Sequence, residues 1–138
     1  MSEENVEIVR RGYEALNAGD VEAALALFDP DVEVLMAEQR GEVSRLDLNK
    51  SYRGIDGFMT FLGQMAEAWG QFRWIPERYV DAGDQVVVFI RMTVEGKMSG
   101  VSVDQSMAHL CTVRNGKLIR HETFWSRDQA LEAAGLSE

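Results

Sequence analysis

Few residues in this chain are suited to chemistry. It has two histidines, His109 and His121, one cysteine, Cys111, and scattered carboxylates. An imidazole changes charge near neutral pH, so a histidine on an apolar wall is a candidate general acid or base. His121 has that setting, within an alternating stretch from Leu118 to Trp125. Asp104 is a candidate base or hydrogen-bond acceptor, with Ser106 two residues on and so on the same side of a strand. Glu38 offers a further carboxylate if the strand before it continues. Arg91 interrupts the apolar run Val86 to Val94, where it could hold an anionic group or pair with Asp104. Each also has a plain reading: a core imidazole for His121, a solvated strand-edge carboxylate for Asp104, a solvent loop residue for Glu38 and an outward salt bridge for Arg91.

Other chemistries lack their residues. There is no Walker loop and no Gly-x-Gly-x-x-Gly after a strand, so no nucleotide cofactor is expected. Two histidines on opposite faces of a sheet make a poor metal ligand set, and one cysteine excludes an internal disulfide and a multi-cysteine zinc site. No cofactor or metal is expected. The net charge of -9 disfavours nucleic acid and anionic membranes. No apolar run approaches the roughly 18 residues of a membrane span. The acidic N-terminus lacks the form of a secretory signal, and a cytoplasmic setting follows from these readings.

The elements that must position these residues can be read from period and punctuation. The 138 residues suit one domain. Val6, Val9, Tyr13 and Leu16 recur at helical steps and predict a helix over Glu3 to Ala18, stopped by Gly19. Asp20 caps a short second helix that ends before Pro30. Asp31 to Ala37 is a predicted strand, and Glu38 to Tyr52 a predicted long loop. A third helix over Ile55 to Trp69 carries Phe58, Met65 and Trp69 on its apolar stripe. Four strands follow, Phe72 to Val80, Gln85 to Glu95, Val101 to Arg114 and Leu118 to Trp125. A last helix begins near Arg127 and stops at Gly135. Segregated helices and strands of this kind mean α+β, with a curved antiparallel sheet wrapped over about three helices.

Asn115-Gly116 is a strong hairpin signal, because a type I′ turn needs φ > 0 at both positions. A two-residue turn sets Arg114 opposite Lys117. Stepping outward, Leu110 faces His121, Ala108 faces Thr123, and Ser106 faces Trp125. These six are predicted to share a pocket wall, mostly apolar with a few short polar groups. The opposite face would hold His109 against Glu122 and Cys111 against Arg120, as an ion pair or a dimer surface. A slip of one residue would exchange the faces.

Arg11 to Asp20 (RGYEALNAGD), Leu25 to Val34 (LALFDPDVEV), Tyr52-Arg53-Gly54 and Asn115 to Ile119 (NGKLI) together resemble the nuclear transport factor 2-like superfamily, and the end of the chain is similar to its small SnoaL-like proteins. The resemblance implies a cone of curved sheet backed by helices, a small-molecule pocket and a dimer. In the ketosteroid isomerase branch a tyrosine, a carboxylate base and a protonated Asp, kept neutral by its apolar site, do the work. Carried over, these positions fall on Gly12, Met36 and Ala108, so all three roles are vacant. His121, Thr123 and Trp125 fall at pocket-lining positions.

The reading that follows is a small-molecule-pocket protein, a cofactor-free isomerase, cyclase or hydratase acting on an apolar substrate. His121 and Asp104 are its catalytic candidates. Tyr13, Met36, Glu38, Phe58, Trp69, Arg91, Ser106, Ala108, Leu110, Thr123 and Trp125 are its candidate lining. The alternative is a non-catalytic ligand binder, or a homodimeric interaction protein that uses the outer sheet face.

Overall fold

The computed structural model describes residues 2–36, 51–69, 72–95 and 102–136. Helix α1 (Ser2–Asn17) opens with Glu3 and Glu4, whose charge suits the positive end of the helix dipole. It stops at Gly19, whose φ of +78° suits glycine. There the Asp20 N–H donates to the Ala15 carbonyl (2.9 Å) and the Gly19 N–H to that of Leu16 (3.1 Å), which satisfies carbonyls the helix leaves open. The Asp20 carboxylate then caps α2 (Val21–Leu25) by accepting the Ala23 N–H at 3.1 Å.

Six strands follow or interleave: β1 (Phe28–Met36), β2 (Ser51–Arg53), β3 (Phe72–Ala82), β4 (Gln85–Glu95), β5 (Ser102–Arg114) and β6 (Lys117–Phe124). Helix α3 (Gly54–Trp69) lies between β2 and β3, and α4 (Arg127–Ala133) closes the described chain. The strands form one sheet in the order β2-β1-β6-β5-β4-β3. The fold is α+β, and the sheet is mixed rather than wholly antiparallel, because β1 runs parallel to β6. Lys117 Nζ and the Leu118 N–H donate to the Ala26 and Leu27 carbonyls (2.6 and 2.9 Å), so the start of β6 is tied to the end of α2. Strand β1 begins at Phe28, three residues before its expected start, and runs through Pro30.

Helices α1 and α3 cover one face of the sheet. Their Val9, Tyr13, Phe58, Phe61 and Met65 join inward residues of every long strand in the main core. Register irregularities interrupt β1 (between Phe28 and Glu33), β3 (between Pro76 and Arg78) and the β5–β6 pair, and such bulges bend a strand locally. Helix α4 covers part of the other face, over Val87, Ala108 and Leu110. Arg127 fastens it there. Its guanidinium reaches Glu77 (2.5 Å) and the Ile90 carbonyl (3.2 Å) and lies 4.9 Å from the centre of the Phe89 ring. Pro76, which has no N–H to offer, is the β3 partner of Ile90. No helix among the described residues is long and apolar enough to cross a membrane.

The β5–β6 hairpin corrects the expected facing of β5. Asn115 (φ +52°) and Gly116 (φ +77°) make the two-residue turn, and Arg114 faces Lys117. Val113 then pairs with Leu118, but Thr112 pairs with Arg120, so Ile119 is an extra residue on β6. Beyond it the partners shift by one: Cys111 faces His121, Leu110 faces Glu122, His109 faces Thr123, and Ala108 faces Phe124. His121 and Thr123 remain inside. On β5 the inward set is Met107, His109 and Cys111 in place of Ser106, Ala108 and Leu110. Ala108 and Leu110 are buried beneath α4, and Ser106 is exposed. Glu122 pairs with Arg120 at 3.0 Å, not with His109.

Leu110 therefore matters to stability through α4. Leu110→Ala should cost about 2–5 kcal/mol, as is typical of a buried leucine truncated, while Ser106→Ala on the same face should stay within about 0.5 kcal/mol. Urea unfolding checks both. Equal small effects would contradict the observed register.

Candidate functional site

Between α1 and the sheet lies an apolar cavity of about 30 Å³, lined by Ile8, Val9, Gly12, Tyr13 and Leu16 of α1, Leu27, Phe28, Phe58, Trp74, Cys111, Leu118 and His121. The volume takes a water or two and is well below the roughly 150 Å³ of a cavity that holds benzene. A larger ligand would have to displace side chains. Four buried methionines in the surrounding core, Met36, Met65, Met92 and Met107, are suited to that, since methionine is unbranched and repacks readily.

Among the described residues the buried polar side chains are His109, His121 and Thr123, all at most 4% exposed. They come from adjacent inward positions of β5 and β6, so the bulge at Ile119 brings them together. The two imidazole rings are 4.3 Å apart between centres. Trp74 lies 4.6 Å from His109, edge to face, and 5.8 Å from His121, stacked. Tyr13 contributes its hydroxyl from α1, 2.5 Å from His109 Nδ1. Five buried polar atoms have no hydrogen-bond partner among the described residues: Trp74 Nε1, His109 Nε2, His121 Nδ1, Thr123 Oγ1 and Trp125 Nε1. Native interiors leave few such groups unpaired. All five are on side chains of the inward face, and of their residues Trp74 and His121 line the cavity.

Burial decides the protonation of this set. It lowers the His121 pKa to about 4, its own backbone carbonyl partly opposing. It lowers His109 well below the usual histidine value, and His121 nearby adds to that. Both imidazoles are neutral at pH 7, each with one donor and one acceptor nitrogen. Burial also pushes the Cys111 thiol up to about 12. A thiol that stays protonated is a poor nucleophile. The Tyr13 phenol is raised as well, first by burial and then by Cys111 beside it. No group of three or more His, Cys, Asp or Glu side chains suited to a metal occurs among the described residues.

The remaining sequence candidates divide. Tyr13, Phe58 and His121 line the cavity. Met36 is in the core opposite Thr123, and Trp125 packs against that core. Asp104 is on the outer face, 61% exposed, and pairs with Arg91 at 3.5 Å. That is the outward salt bridge, and both side chains are turned from the cavity. Glu38 and the Trp69 side chain fall outside the described residues. Sequence reasoning missed Trp74, which lines the cavity, and His109, which does not line it but touches Trp74 and His121. The ketosteroid-type Asp position carried onto Ala108 is also off the inward face, where Met107 and His109 stand on either side of it.

A SnoaL-like domain model matches residues 9–121. Uncharacterized protein Rv0034 of Mycobacterium tuberculosis (strain H37Rv) is 28% identical over 131 residues, 94% of each chain. Among solved structures, TerC co-crystallized with polyporic acid is similar, with a TM-score of 0.78, 26% identity, and coverage of 96% of this chain and 98% of that one. An NTF2-like protein of unknown function from Burkholderia pseudomallei has a TM-score of 0.77, 22% identity and coverage of 94% and 95%. A putative SnoaL-like polyketide cyclase from Jannaschia sp. CCS1 has a TM-score of 0.70, 21% identity and coverage of 89% and 85%. The last two share the fold.

The buried neutral histidines set a pH dependence. Below the ordinary histidine pKa the unfolded chain takes up protons that the folded chain refuses, so stability falls as pH drops from about 6.5 toward 4. His121 alone should account for about 3 kcal/mol of that loss by pH 4. Urea midpoints across this range should fall less steeply for His121→Gln than for the wild type. Parallel curves would contradict a buried, neutral His121.

Proposed function

Since the chain belongs to the SnoaL-like domain family, we propose that it binds an apolar, oxygen-bearing small molecule inside the sheet and moves a proton on it without a cofactor, as an isomerase or cyclase would. The observation that carries this reading is the pair of neutral imidazoles packed against Trp74, with unpartnered polar atoms on the same inward face and aromatic and methionine walls. A pocket of that make-up suits a ligand that is mostly apolar and carries a few oxygens.

In this reading His121 takes a proton from a carbon or hydroxyl next to a carbonyl and returns it at another position. A base with a pKa of about 4 is weak while the site is empty. The negative charge that develops on the ligand oxygen strengthens it, because an opposite charge a few ångströms away favours the imidazolium. The indole N–H groups of Trp74 and Trp125 and the Thr123 hydroxyl are neutral donors that would stabilise that oxygen. Asp104 has no part in this proposal, because it pairs with Arg91 on the outer face.

One observation favours the second reading, binding without turnover. The three ketosteroid-type positions hold Gly12, Met36 and Ala108, so no carboxylate is available inside among the described residues. The family resemblance also leads us to propose a homodimer through the outer face, where the ion pairs Arg91–Asp104 and Arg120–Glu122 lie. Light scattering on the wild type and on Arg91→Glu tests that point.

Polyporic acid and aromatic ketones with an acidic C–H are the first probes. At a hundredfold excess over Kd a ligand should add about 2.7 kcal/mol of apparent stability. Turnover is read as deuterium uptake at the carbon next to the carbonyl. His121→Ala should lower that rate by about 10²–10⁴-fold. Binding with no exchange in the wild type supports the second reading, and unchanged exchange in His121→Ala removes His121 from the mechanism.

A further inference from the structure

We infer that Tyr13 is a positioning residue, whose hydroxyl holds His109 in the tautomer protonated on Nε2 and so gives the interior a fixed neutral N–H donor beside the His121 imidazole. The ligand consequence below rests on the proton-transfer reading above, and the tautomer does not.

The geometry comes first. Tyr13 Oη and His109 Nδ1 are 2.5 Å apart, and both residues are buried. The two rings lie within 9° of parallel with centres 5.8 Å apart, so the hydroxyl meets the edge of the imidazole, where the nitrogen lone pair lies. Helix α1 and strand β5 hold the two groups from opposite sides of the interior, and the contact links residues 96 positions apart. His109 can satisfy only one ring nitrogen this way. Its Nε2 has no partner among the described residues.

The direction of the bond follows from the chemistry of the three groups involved. A neutral imidazole has one strong acceptor nitrogen, and a phenol donates better than it accepts. The Cys111 side chain lies beside the Tyr13 hydroxyl and keeps its proton, because burial holds the thiol up near 12. The thiol therefore takes no proton from the phenol, and the phenolic proton goes from Tyr13 Oη to His109 Nδ1. The remaining proton of His109 must be on Nε2, since the bond made by one ring nitrogen sets the state of the other.

This gives the neighbouring imidazoles different work. His109 offers a donor that cannot turn into an acceptor while Tyr13 holds it, and His121 is left to accept a proton. A guest that fits both carries a carbonyl or enol oxygen close to an acidic C–H or O–H, on an apolar body. The class is an enolisable β-dicarbonyl or an enol ketone. An amine or other cation would find no buried anion among the described residues.

The test is the tautomer, read by long-range ¹H–¹⁵N correlation on the full chain labelled with ¹⁵N-histidine. The wild type should show His109 protonated on Nε2, and Tyr13→Phe should show a mixture or protonation on Nδ1. His109 protonated on Nδ1 in the wild type, or an unchanged pattern in Tyr13→Phe, overturns the inference. Should Tyr13→Phe fail to fold, the wild-type spectrum still decides. The ligand consequence is tested with 2,4-pentanedione, which should bind at least tenfold more weakly to Tyr13→Phe. Equal affinity overturns the donor role. Absent turnover on any ketone would count against the proton-transfer reading and leave the tautomer result standing.

Discussion

One extra residue, Ile119, decides what the interior of this protein is made of. Side chains on a strand alternate between faces, so a single unpaired residue reverses the match between two strands from that point on. Before the bulge, Val113 meets Leu118 in the core. After it, β6 turns His121 and Thr123 inward, and β5 answers with Cys111 and His109. Without the shift the two imidazoles would lie on opposite faces. With it they are neighbours, within reach of Trp74 and, through His109, of Tyr13.

Such an interior is costly to build. Burying a polar group without a partner disfavours folding by a few kcal/mol, and five polar atoms have none among the described residues. The imidazoles reduce the cost by staying neutral, because burial depresses both pKa values. The compensation comes from the packing around them: stacked and edge-on contacts among Tyr13, Phe58, Phe61 and Trp74, a second core beneath α4, and the Arg127 clasp. A structure that keeps unsatisfied groups in its centre and spends packing elsewhere has the pattern expected of a functional site.

Much of the fold was legible in the sequence, because it rests on local signals. Gly19, Asp20, Asn115-Gly116, Ser126 and Gly135 act as helix stops, caps and turn residues through their own backbone and side-chain chemistry. The apolar stripe of α1 identified Tyr13, and the alternation of β6 identified His121 and Thr123. The facing of β5 was not legible by the same means. Both of its faces are buried, one by α1 and α3 and the other by α4, so Met107, His109 and Cys111 cannot be told from Ala108 and Leu110 by hydrophobicity. One signal could have found the bulge. A regular hairpin would set Leu118 on the face of Arg120 and Glu122, and an apolar residue there fits better three positions from His121 on the inner side. The parallel pairing of β1 with β6 was likewise set by tertiary contacts, the ties of Lys117 and Leu118 to the end of α2.

The most direct measurement of this account is a proton–proton NOE spectrum of the aromatic region. With ring centres 4.3 Å apart, the His109 and His121 ring protons should give strong cross-peaks to each other, and His109 should also give them to Trp74. Cross-peaks from His109 to the Glu122 side chain, with none to His121, would mean that the hairpin has no bulge and that the interior described above does not exist.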